Sequence, residues 1–121
     1  MADIRDQLLA AFEAEAQDHI EALRAALGLA TSRQPMSIRE VFRRAHSLKG
    51  AARAVGAEAV ETAAHALEAL FASAMKTGEP LSEGELARAL SLVDAIARGA
   101  ASVRASSGPA GSPSTSAAMS G

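Results

Sequence analysis

The chain has 121 residues, 49% of them hydrophobic but only 2% aromatic, with no Trp, Tyr or Cys. This length suits one domain with one core, and an apolar set made mostly of Ala and Leu suits close helix packing more than sheet. The lack of Cys excludes disulfides and thiolate metal sites, and a formal net charge of -2 argues against nonspecific nucleic-acid or membrane binding as the main task.

Residues 3–27 read as a long amphipathic helix. Ile4, Leu8, Phe12, Ala16, Ile20, Leu23 and Leu27 recur every three or four positions and share one face. Gly28 is the expected stop, and residues 28–36 read as a connection. A second helix is predicted from Ser37, with Ser37 and Glu40 as a capping box and Ile38, Val41, Ala45, Leu48, Ala52 and Val55 facing inward. Phe42 falls on the edge of that stripe, and Gly56 turns the chain.

A third helix is predicted over about residues 58–76, with Val60, Ala63, Ala64, Leu67, Leu70, Phe71 and Ala74 inside. Gly78 and Pro80 end it. Ser82 and Glu85 form a second capping box, and a fourth helix carries Leu86, Leu90, Val93, Ile96 and Ala97 to about Val103. The expected fold is therefore all-α: an antiparallel, up-down four-helix bundle over residues 1–104. Residues 105–121 are rich in Ser, Gly, Pro and Ala and read as a flexible linker or tail, with a cut inter-domain linker as the favoured reading. No stretch is apolar enough to span a bilayer and no signal peptide is evident, so a cytoplasmic location is expected.

A plain Ala/Leu bundle explains all of this without chemistry, so the polar residues must carry any function. On the second helix His46 falls on the solvent side, with Arg43 at i-3, Lys49 at i+3 and Gly50 at i+4. Glycine inside a helix costs roughly 1 kcal/mol against alanine. A small surface beside His46, open to a close approach by another molecule, is the reason favoured here over helix packing. Folding the third helix back through Gly56 brings His65 and Glu68 near the level of His46, at 1.5 Å per residue. Glu68 is then placed to accept a hydrogen bond from His46 Nδ1, leaving Nε2 as the free nucleophile, with Lys49 beside it to offset phosphate charge. The second helix is strongly basic, with Arg39, Arg43, Arg44, Lys49 and Arg53 against Glu40. That face suits an acidic partner pocket or nucleotide phosphates, and Arg43, Gly50 and Arg53 are assigned to partner binding. Nucleic acid is the weaker partner, because aromatic stacking residues are lacking.

The run Phe42-Arg43-Arg44-Ala45-His46-Ser47-Leu48-Lys49-Gly50-Ala51-Ala52 resembles the histidine phosphotransfer (HPt) family. With the segment Ala64-His65-Ala66-Leu67-Glu68, it looks most like the N-terminal phosphotransfer domain of CheA-type chemotaxis histidine kinases. The resemblance covers about residues 4–104. It implies His46 as the phosphorylated residue, Glu68 as its hydrogen-bond partner, Lys49 as the cation beside the phosphoryl group and His65 as a further polar neighbour. It also implies two partners: a histidine-kinase catalytic domain, which binds ATP and Mg itself, and a response-regulator receiver domain of CheY type. No cofactor or metal is expected in this domain, which is not an enzyme alone. A standalone phosphotransfer protein, a metal-carboxylate bundle and a non-catalytic helical adaptor are the rival readings.

Overall fold

The computed structural model describes residues 3–106. Four helices fill this span: α1 (Ile4–Thr31), α2 (Ile38–Val55), α3 (Glu58–Thr77) and α4 (Glu83–Ser106). Short connections force neighbours to run antiparallel, and α1 closes the ring by packing on α4. The α2–α3 pair makes the most extensive contact. The fold is the expected all-α four-helix bundle.

The helix ends follow local chemistry. The Asp3 carboxylate accepts from Asp6 N–H at the start of α1, and the Ser37 hydroxyl accepts from Glu40 N–H at the start of α2. At α4 the box is reciprocal, with Glu85 N–H donating to Ser82 and Ser82 N–H to Glu85. Gly56 and Gly78 end α2 and α3 at φ +73° and +74°, a left-handed conformation that a Cβ disfavours.

The core joins one stripe from each helix, including Phe12, Ile20, Leu23, Val41, Leu48, Val60, Leu67, Phe71, Val93 and Ile96. Three sequence expectations need correction. Gly28 does not stop α1, which runs on to Thr31. Ile4 and Leu8 are exposed, and Leu9 is the buried residue of that turn. On α4 the buried positions are Ala89, Val93, Ile96 and Ala100, with Leu86, Leu90 and Ala97 only half-buried at their flank. Gly28 lacks the left-handed backbone that ends α2 and α3, so α1 continues through it. Ile4 and Leu8 are spaced in steps of four, which drift about 40° each from the helical period, so that Leu9, three before Phe12, takes the buried place. The third follows from close approach, where small residues fit the centre of the contact and Leu the margins. Gly99 marks the closest point, since a Cβ there would lie 2.9 Å from Val60 Cγ2. Of the predicted linker, residues 105 and 106 belong to α4 and 107–121 lie outside the described residues.

Candidate functional site

The α2–α3 pair sets the site. The tight Gly56 turn leaves α3 antiparallel to α2 and in register with it. Val41, Ala45, Leu48 and Ala52 on one side, and Val60, Ala64, Leu67 and Phe71 on the other, fix both helices rotationally. Groups just off these stripes then meet across the outer groove.

Nδ1 of His46 lies 2.6 Å from Oε2 of Glu68, and Lys49 Nζ donates to Oε1 at 2.5 Å. Glu68 and Lys49 are mostly covered, at 13% and 19% side-chain exposure, whereas His46 is 64% exposed. Burial acts to raise the pKa of Glu68, but the hydrogen bonds from Lys49 and His46, with their charges, outweigh it and hold it below the ordinary glutamate value. At neutral pH Glu68 is therefore an ionised carboxylate, which can only accept. Nδ1 must carry the proton. In the neutral ring this leaves the Nε2 lone pair on the far side, toward solvent.

The other histidines differ. His65 is 70% exposed, with Nδ1 4.0 Å from Glu68 Oε1, so it borders the carboxylate without a close hydrogen bond. On α1, His19 Nδ1 faces an Arg44 guanidinium N–H at 3.1 Å and must accept, so its proton sits on Nε2 and points to Glu15 at 3.4 Å. The same physics thus gives His46 and His19 opposite tautomers, and of these two anchored rings His46 is the one that presents an unengaged nitrogen outward.

The remaining assigned residues ring His46. Arg43 is exposed and pairs with Glu40 at 3.4 Å. Arg53 reaches across to Glu61 at 2.8 Å. Gly50 is open, with nothing within 4 Å of the position a Cβ would take. Sequence reasoning missed two features. Phe42 lies parallel to the His46 ring, with centroids 6.3 Å apart and planes 15° apart; its i, i+4 spacing was the available signal. Arg44 ties α2 to α1 through Asp18 at 3.0 Å and is steadied by Glu40 of its own helix, also at 3.0 Å, and these bonds raise its pKa further. Nothing local in the sequence pairs Arg44 with Asp18.

Among the described residues no three His, Asp or Glu side chains converge as a metal site. No helix of the described residues is long and apolar enough to cross a membrane.

A four-helix bundle that displays one histidine from the middle of a helix, backed by a largely covered carboxylate, is the architecture of a phosphotransfer module. The sequence model of the Hpt domain family matches residues 7–104, and the chain belongs to that family. It is thus a histidine phosphotransfer domain of two-component signalling, a class that works with kinases and response regulators and is not itself a catalytic enzyme domain. No curated protein and no solved structure matches the chain.

Proposed function

We propose that His46 is the phosphoryl acceptor and that the domain relays phosphate from a CheA-type kinase to a CheY-type receiver in the cytoplasm. The observation that carries this is the 2.6 Å contact of His46 Nδ1 with an ionised Glu68, opposite an exposed Nε2. The Nε2 lone pair attacks the γ-phosphorus of ATP held, with Mg, by a separate kinase domain. The Nε2–P bond forms, the bond to the bridging oxygen breaks and ADP leaves. The ring keeps its Nδ1 proton, so it gains positive charge, which the Glu68 carboxylate offsets. In the second step a receiver aspartate oxygen attacks phosphorus, the Nε2–P bond breaks and a neutral imidazole is the leaving group.

Lys49 plays two parts in this reading. It holds Glu68 in place, and its ammonium stands beside the groove where the phosphoryl oxygens arrive. His65 is a polar neighbour on the opposite wall. Arg43 and Arg53 complement an acidic partner, and Gly50 lets that partner come close. Such transfer depends on positioning and charge rather than on covalent machinery, which suits a rigid helix. Membership of a CheA-type kinase is supported by the segment from Ala64 to Glu68, whose two polar residues both border the site.

The direct test incubates the chain with a CheA-type catalytic domain and ATP. The expected product is an acid-labile phosphoryl group that His46→Gln abolishes. Undiminished labelling of that variant would overturn the assignment, and an unaltered chain that takes no label would favour a helical adaptor.

A further inference from the structure

The groove that holds His46 and Glu68 continues beyond them. Toward the start of α2 and the end of α3 it opens into an apolar cleft of about 780 Å³. Met36, Ile38, Met75 and Leu81 are the large apolar side chains in its wall. Arg39 lies seven residues before His46 and Met75 seven residues after Glu68. Two helical turns return each helix to the same face, so the cleft is the same groove about 10 Å further along. Phe42 bridges the gap, half-buried and stacked on the His46 ring. Phe42 thus places an aromatic side chain between the cleft and the imidazole.

The charges at its mouth are unpaired. Arg33 and Arg39 line the cleft, are exposed, and have no side-chain ion pair among the described residues, unlike Arg43, Arg44 and Arg53. Glu79 is the carboxylate on the same lining. Arg33 also holds a left-handed backbone, at φ +61°, which a non-glycine residue adopts only at a cost.

We propose that this cleft is a docking pocket for the receiver domain that takes the phosphoryl group, and that it accepts an apolar side chain flanked by carboxylates. The proposal rests on the reading of His46 given above. A standard interface covers about 800 Å² per partner, a disc of roughly 16 Å radius. A protein seated on His46 therefore reaches Arg39 and the cleft. The receiver is the partner that must sit this closely, because its acceptor is its own aspartate. A kinase presents the γ-phosphate at the end of a nucleotide and can stand further off. Two methionines in the wall let one pocket adjust to an apolar anchor, and the free arginines select carboxylates beside it.

The test uses the whole chain, phosphorylated with phosphoramidate, which needs no docked protein, and a panel of receiver domains from the source organism. Transfer to the fastest receiver is followed over a range of receiver concentration. In Met75→Asp the half-saturating concentration rises about tenfold or more, as for loss of an interface anchor, while the maximal rate stays within about twofold. In the Arg33→Ala/Arg39→Ala variant, which alters only exposed positions, the half-saturating concentration also rises and depends less on salt. Unchanged values in variants that keep the native circular dichroism overturn the proposal. So does a loss confined to phosphorylation by the kinase domain, which would assign the cleft to the kinase. Failure of the unaltered chain to take phosphate from phosphoramidate, or to pass it to any receiver, instead overturns the function proposed above and the docking with it.

Discussion

Glu68 and His46 are 22 residues apart in sequence, yet Oε2 of one lies 2.6 Å from Nδ1 of the other, with Lys49 holding the second carboxylate oxygen. Glu68 is largely covered and His46 is not. An anchored acceptor thus orients an exposed ring, and several consequences can be measured.

Glu68→Gln keeps the shape of the side chain but removes the charge that obliges Nδ1 to donate. An amide can turn its NH₂ to the ring, so both tautomers of His46 become populated. Ring ¹⁵N shifts should report the mixture. Phosphorylation should slow by roughly 10–100-fold, by analogy with the loss of a group that orients a metal-binding histidine. A single Nδ1–H tautomer with an unchanged rate would show that Glu68 does not set the ring.

The same residue predicts a pH dependence of stability. Its folded-state pKa lies below the ordinary value, because hydrogen bonds outweigh burial. The native state therefore holds fewer protons at this site than the unfolded chain. The stabilisation is complete above the unfolded glutamate value near about 4.3 and is lost as pH falls through the depressed folded value. Urea midpoints of the unaltered chain and Glu68→Gln should differ at pH 7 and converge as the pH falls below the depressed folded value.

Gly50→Ala should separate stability from transfer. A Cβ there meets nothing within 4 Å, so the change contributes the helix propensity of alanine, about 1 kcal/mol. Urea unfolding should show that gain. The added methyl group lies one turn from His46 on the exposed face, so phosphoryl transfer to the receiver should weaken by severalfold. A faster transfer would show that Gly50 does not serve close approach.

Gly99→Ala should act in the opposite direction on stability. Its Cβ would stand 2.9 Å from Cγ2 of Val60, which is fully buried. The expected loss is about 1–3 kcal/mol, as for other overpacked contacts. Combined with Val60→Ala, the loss should be smaller than the sum of the two single changes, because one substitution makes room for the other.

Much of this protein was readable without coordinates, for one reason: the signals involved are local. The Ser37 cap and the Ser82–Glu85 box need only a hydroxyl three residues before a carboxylate, although at Ser37 the Glu40 carboxylate turns to Arg44 and the box stays half-made. The αL caps at Gly56 and Gly78 need only the missing Cβ. The core stripes from Phe12 to Leu23 and from Val41 to Ala52 follow from the helical period. Even the common level of His46 and Glu68 follows from the rise per residue and a tight turn.

What the tertiary structure decided depends on which surface lies opposite. Ile4, Leu8 and Leu9 are all apolar, and the face that α1 turns to the core buries Leu9 and leaves the other two exposed. Gly28 is compatible with a helix end or a helix interior, and the continuing turn of α1 selects the interior. Arg44 could have been solvated like Arg39, but the angle between α1 and α2 brings Asp18 and His19 to it. The cleft beside Met75 exists only because two connections meet at one end of the α2–α3 groove. By itself the sequence determined four amphipathic helices and a histidine on the outside of one of them. The packing of α3 on α2 decided which nitrogen of that histidine faces solvent, because a tautomer is set by the group across the groove.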